Sequence, residues 1–325
     1  MKHELVLILV LLAAACNRAP EYYFERGNRL ALSGRAMESV EMYNRAILLK
    51  KRYPEALTSR AMVYEKLGDK QKAAYDYRRA IELDPSYGPA RNNLAALYLD
   101  AGEYAEAVKH LSSALDADPS YAQAYLNRGI ARYKLSDYAG AGSDLSRAIQ
   151  LDPGLGLARY QRALVSIKLG DPAAAFGDLD LLLNAGPAAA AVWFERGRLR
   201  YDTKDYAGAA DDLEKAARLK PGAAAYGYWR ALAVFKAGRL ADALAGLERT
   251  LQTSPSYARA WLLKGDLCAL LKDMPAARES YAKALSLDPA NGVFYRARLA
   301  LLDHPAPARM SAPKRRKKQS VLEVR

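Results

Sequence analysis

Histidine is nearly absent from this 325-residue sequence: His3, His110 and His304 are the only three. They lie too far apart along the chain to converge, so a histidine-based metal centre is not expected. Cysteine is scarcer still, with Cys16 and Cys268 alone, which excludes a disulfide framework. Runs of β-branched residues of strand length are missing, which argues against a sheet protein. The chain carries no G-x-S-x-G elbow, no P-loop and no dinucleotide fingerprint. Its carboxylates read as helix surfaces or caps, with none paired inside an apolar strip. Together these absences predict no catalytic residues, no cofactor and no metal: the chain reads as a non-enzyme. Disorder is excluded in its turn, because 51% of the residues are hydrophobic and 26% charged. Much of the apolar share is Ala and Leu, both strong helix formers. The balance is basic, with a formal net charge of +13. From Asp303 to the end there are seven Lys or Arg against two acids.

Long hydrophobic runs are also lacking, apart from eleven residues from Leu5 to Ala15. As a helix that run would rise about 16 Å, roughly half of a hydrocarbon core, and it is too short to span. Its length, after Lys2, is that of a signal-peptide core. The following LAAAC resembles a bacterial lipobox. That resemblance implies a signal over 1–15, lipidation at Cys16, and an anchor segment over 16–19. Ala13 stands where lipoboxes usually carry Leu, and Ala13-Ala14-Ala15 also fits ordinary secretion with the same cut. The expectation is a lipid-anchored protein of the bacterial cell envelope, with a secreted soluble protein as the alternative. Asn17 after the cysteine, where inner-membrane lipoproteins usually carry Asp, favours the outer membrane by the same resemblance.

Proline supplies the strongest signal. Pro85, Pro119, Pro153, Pro187, Pro221, Pro255 and Pro289 recur every 34 residues. Placing them at position 32 gives eight repeats: 20–53, 54–87, 88–121, 122–155, 156–189, 190–223, 224–257 and 258–291. Position 8 is always small (Gly27, Ala61, Ala95, Gly129, Ala163, Gly197, Ala231, Gly265), and so is position 20. Such residues let two helices cross closely, while larger knobs at position 24, such as Tyr77 and Leu145, fill the space between repeats. Position 15 is Gly34, Gly68, Gly102, Gly170 and Gly238, the left-handed stop of a first helix. Position 16 is Asp69, Asp137, Asp171, Asp205 or Asp273, placed to cap a second. Pro172 and Pro275 sit in that second helix's first turn. This pattern resembles the tetratricopeptide repeat over 20–291. It implies an all-α fold, a right-handed superhelical solenoid of eight helix-turn-helix units. Residues 292–302 read as a capping helix, and 303–325 as a disordered basic tail.

The resemblance further implies that positions 2, 5, 9, 12 and 13 of each first helix face a concave groove. In repeats five to seven these positions carry Tyr160, Leu164, Ile167, Phe194, Arg198, Tyr201, Tyr228, Leu232 and Phe235. Tyr160, Phe194, Arg198, Tyr201, Tyr228 and Phe235 are accordingly the candidate contacts for a partner peptide or helix. Packing between neighbouring helices is the plainer reading for several of them, Leu164 and Leu232 above all. The Lys, Arg and Asn set with which chaperone-binding members grip a terminal carboxylate is missing: Asn28, Asn93 and Asn127 lack the cations that would complete it. The expected function is a protein-interaction scaffold. Pilotins of type IV pili and adaptors of wall hydrolases resemble it equally. The alternative is attachment to anionic lipid or wall polymer through Lys314, Arg315, Arg316, Lys317 and Lys318. Nucleic acid conflicts with export, and the run has no aromatic residue for base stacking.

Overall fold

The structure, a computed structural model, describes residues 19–186 and 189–303. Cys16 and the basic run Lys314–Lys318 lie outside the described residues. Each 34-residue frame holds two helices. In the first five frames they are α1 (Pro20–Leu32) and α2 (Ala36–Leu49), α3 (Pro54–Lys66) and α4 (Lys70–Leu83), α5 (Gly88–Ala101) and α6 (Tyr104–Ala117), α7 (Ala122–Lys134) and α8 (Tyr138–Leu151), and α9 (Gly156–Leu169) and α10 (Pro172–Asn184). The last three hold α11 (Ala190–Asp202) and α12 (Tyr206–Leu219), α13 (Ala224–Lys236) and α14 (Leu240–Thr253), and α15 (Ala258–Leu270) and α16 (Met274–Leu287). A short 3-10 turn over Pro289–Asn291 leads into α17 (Gly292–Asp303). No strand occurs among the described residues, and the fold is an all-α repeat solenoid. The chain divides at Gly186 into two compact bodies.

Local chemistry explains where the helices stop. All five glycines at position 15 adopt positive φ, from 75° at Gly170 to 84° at Gly238. The amide beyond each turn then reaches back to the preceding helix, as Asp69 N–H does to the Tyr64 carbonyl at 2.9 Å. Repeats four, six and eight make the same turn without glycine: Ser136, Lys204 and Lys272 hold φ of 65°, 69° and 64°. The hairpin geometry therefore overrides local preference, since a side chain in this region is strained. Each of the five position-16 aspartates accepts the N–H of the residue three further on, capping α4, α8, α10, α12 and α16.

Packing within a hairpin follows the small residues. A Cβ on Gly129 would come within 2.8 Å of Leu145, and one on Gly197 within 2.7 Å of Leu213. Position 8 is thus small because the position-24 knob of the same repeat lies against it. That knob also meets the next repeat, as Tyr77 packs with Ala61 behind it and Ala90 and Leu94 ahead. The core is accordingly a file of small clusters, one per junction, and has no single centre. Tyr43 and Tyr281 are buried yet satisfied: their hydroxyls donate to Asn28 at 2.7 Å and to Asp266 at 2.8 Å.

Candidate functional site

The structure overturns the expectation that carboxylates keep to surfaces and caps. Asp76, Asp144, Asp178 and Asp212, all at position 23, are buried. Each accepts two hydrogen bonds from the arginine at position 7 of its own repeat. Arg128 donates through Nε and Nη2 to Asp144 at 2.9 and 2.8 Å, and Arg162 to Asp178 at 2.8 and 2.7 Å. Arg60–Asp76 and Arg196–Asp212 repeat the geometry. The third arm reaches the preceding repeat, where Arg128 Nη1 donates to Ser112 and Arg162 Nη1 to Ser146. One guanidinium thereby ties three helices together, and hydrogen bonding to the aspartate raises the pKa of Arg128 and Arg162. Each carboxylate thus has both oxygens engaged by its arginine. Sequence reading missed these pairs. The available signal was Arg at position 7 recurring with Asp at position 23.

The first-helix positions expected to face a partner are half-buried wherever they were singled out. Tyr160, Leu164 and Ile167 lie on α9 in the first body. In the second body, Phe194 of α11 packs on Tyr226 with ring centroids 4.5 Å apart. Tyr201 meets Trp229 edge-on at 5.4 Å, and both sit against the core formed by Ala209, Leu213 and Ala233. The Arg198 guanidinium lies 5.8 Å from the Phe194 ring and 5.0 Å from Trp229, a cation–π arrangement. Part of this aromatic set therefore serves packing between helices.

Tyr228, Leu232 and Phe235 of α13 do more, because they form one wall of a cavity of about 650 Å³. Leu262 and Leu270 of α15 form the second wall, and Leu301 and Leu302 of α17 close the end. Leu270 and Leu301 are each more than half exposed at its mouth. Lys236, Arg259, Asp266 and Arg298 supply its charges. Asp266 is neutralised by Arg298 at 3.0 Å and accepts from Tyr281, so the cavity is cationic in balance. Burial, then nearby Tyr257, pushes the Tyr228 phenol up, and burial raises the Cys268 thiol as well. Both stay protonated near neutrality, so neither is poised as a nucleophile. A concave, mostly apolar surface with a few placed polar groups is the usual form of a ligand site. Sequence reading did not find Arg259, Leu262, Asp266 or Arg298. The same first-helix positions in repeat eight point to the first three, but only the angle of α17 brings Arg298 beside them. Among the described residues, no group of three His, Cys, Asp or Glu is placed to hold a metal ion, and no helix is long and apolar enough to cross a membrane.

Tetratricopeptide-repeat family models match residues 54–87, 92–155, 190–223 and 228–292, together more than half of the chain. No curated protein matches the sequence. Among solved structures, PilF of Pseudomonas aeruginosa is similar at 20% identity and a TM-score of 0.60, over 65% of this chain and 96% of that one. A chain of the APC/C hetero-tetramer Cut9–Hcn1 is similar at 17% identity and a TM-score of 0.57, over 85% of this chain and 54% of that one. At such identities the likeness is one of fold. With the 34-residue period, the left-handed turns and the helix pairs already in place, the matches establish that the chain belongs to the tetratricopeptide-repeat family.

Proposed function

We propose that this protein is a non-catalytic interaction scaffold of the bacterial cell envelope, anchored through a lipid on Cys16. Its partner is a protein whose apolar segment seats in the cavity between α13, α15 and α17. The observation carrying this reading is the cavity itself: about 650 Å³, walled by leucines and aromatics, with Leu270 and Leu301 exposed at its mouth. Monomers seldom leave such apolar side chains gathered around a concavity without a ligand for it. Aromatic anchors in pockets also supply much of the affinity at protein interfaces.

Crosslinked capture from the native envelope tests the reading, with partners identified by mass spectrometry. Three forms are compared: wild type, Leu270→Glu with Leu301→Glu, and a chain ending at Asp303. Both leucines are largely exposed, so the double variant alters the mouth and leaves the fold intact. A partner lost only in the double variant supports the scaffold. A partner retained there overturns it. Material lost only on truncation, and in a salt-sensitive way, assigns binding instead to the basic run Lys314–Lys318 and an anionic lipid or wall polymer.

A further inference from the structure

The buried Arg–Asp pairs define what position 23 does in this chain, and repeat seven breaks the rule in one half only. It keeps the arginine, Arg230, but carries Gly246 where four other repeats carry aspartate. Repeat one also has an arginine without aspartate, but there Met42 fills the place and is buried. Glycine fills nothing. Beside Gly246 lies an open cleft of about 290 Å³ between α12, α13 and α14. A Cβ built on Gly246 would stand 2.8 Å from Arg230 Nη1 and 4.0 Å from Arg249 Nη2. Two guanidinium groups thus converge on the point where the missing side chain would begin.

The charges around the cleft are unbalanced. Arg218, Arg230 and Arg249 line it against one acid, Glu214. Glu214 is shared, since it meets Arg218 Nε at 2.9 Å and also Arg230 Nε. That is the only ion pair of Arg230 among the described residues, and neither of its Nη groups donates a hydrogen bond. Arg249 is exposed and makes no ion pair there. Elsewhere in the chain, Nε and Nη2 of the position-7 arginine grip a carboxylate side-on. In repeat seven Nε is held by Glu214, so the donors facing Gly246 are Nη1 of Arg230 and Nη2 of Arg249; a carboxylate, with two oxygens, is the group that can accept from both.

From these observations we infer that the cleft beside Gly246 is a carboxylate-binding site. There an Asp or Glu side chain of a partner protein takes the place that aspartate holds in the intact repeats. Ala217, Pro221 and Thr253 extend the cleft walls and give a peptide contacts that a free anion lacks. The site lies between α12, α13 and α14 and shares no lining residue with the cavity between α13, α15 and α17. It does not depend on that cavity being occupied.

The test uses the full chain and NMR line broadening of three probes at constant ionic strength. They are the peptide Ac-Ala-Ala-Asp-Ala-Ala-NH2, sodium acetate and inorganic phosphate. The peptide is expected to bind saturably in the millimolar range and more tightly than acetate. Gly246→Asp should abolish binding by filling the site from within; only the mobile end of Arg230 has to shift for it. Arg230→Gln should weaken the peptide by roughly tenfold, the usual effect of losing one charged contact. Peptide binding unchanged in Gly246→Asp overturns the site. Acetate binding as tightly as the peptide overturns the partner side chain as ligand. Phosphate binding without the peptide overturns the carboxylate, and saturation by none of the three overturns the proposal entirely.

Discussion

Repeats four and seven share a length, a helix pair and a buried position-24 leucine, yet differ in what their arginine does. In repeat four, Arg128 and Arg132 both converge on Asp144, and the carboxylate is buried between helices. In repeat seven, Gly246 removes the carboxylate, Arg230 turns back toward Glu214, and a cleft opens. Thr250, at a position that is alanine in six repeats, is accommodated because Gly227 opposite has no Cβ; one built there would meet Thr250 Oγ1 at 2.2 Å. The difference teaches that the repeat is a frame with two uses. With its aspartate it closes on itself, and without it the same frame leaves cationic donors open to an outside group.

Removing the carboxylate from the closed repeat should have the largest effect. Asp144→Asn leaves half-buried Arg128 without a counter-charge and Arg132 with Asp137 alone, and should destabilise by about 3 kcal/mol. Urea unfolding measures this, and a loss below about 1 kcal/mol would mean that the pair is replaceable by water. Closing the open repeat is the converse change. Gly246→Asp should stabilise by about 1 kcal/mol, through a restored pair and relief of glycine's backbone entropy. A destabilised variant would show that repeat seven has repacked around its glycine.

A third substitution separates hairpin geometry from the ion pair. Lys204, Ser136 and Lys272 hold left-handed conformations that five other repeats give to glycine. Lys204→Gly should stabilise by about 1 kcal/mol, by removing that strain. The test is thermal unfolding of the variant beside wild type, and an unchanged midpoint would count against strain at this turn.

The smallest effect concerns repeat three, where Leu94 and His110 replace the ion pair. His110 is half-buried, stacks on Tyr98 at 5.4 Å, and leaves Nδ1 buried without a hydrogen bond. Burial first, then the charge of Arg91, lowers its pKa, with Lys109 and Arg78 acting in the same sense and Glu106 against. The folded state therefore resists a proton that the unfolded chain accepts. Its contribution is full above the unfolded value of about 6.5 and is lost as pH falls from there through the lower folded value. His110→Phe should flatten this part of the acid-side decline in urea midpoint, while an unchanged slope would assign the decline to carboxylates alone.

Much of this was legible in the chain itself. The prolines at a fixed spacing locate the helix ends, as α4 stops at Leu83 just before Pro85. The glycines at position 15 and the aspartates at position 16 state their roles directly, since turns and caps are chemistry between near neighbours in sequence. The small residues at position 8 announce a close helix crossing for the same kind of reason: only a residue without bulk fits there. Those features determine an all-α repeat of the tetratricopeptide type from residue order alone.

What the sequence could not reveal are contacts that cross a hairpin or leave the repeat. Asp144 reads as one more acid on a helix until α8 folds back on α7 and places Arg128, sixteen residues earlier, against it. Tyr201 and Phe194 read as an exposed recognition face until Trp229 and Tyr226 of α13, the first helix of the next repeat, pack on them. The cavity of the last repeats needs α17 at its particular angle, and the cleft of repeat seven needs three second-body helices around one glycine. Periodicity determines which residues share a helix face. Which faces meet, and therefore which charges are buried and which are left open, is decided only when the helices pack.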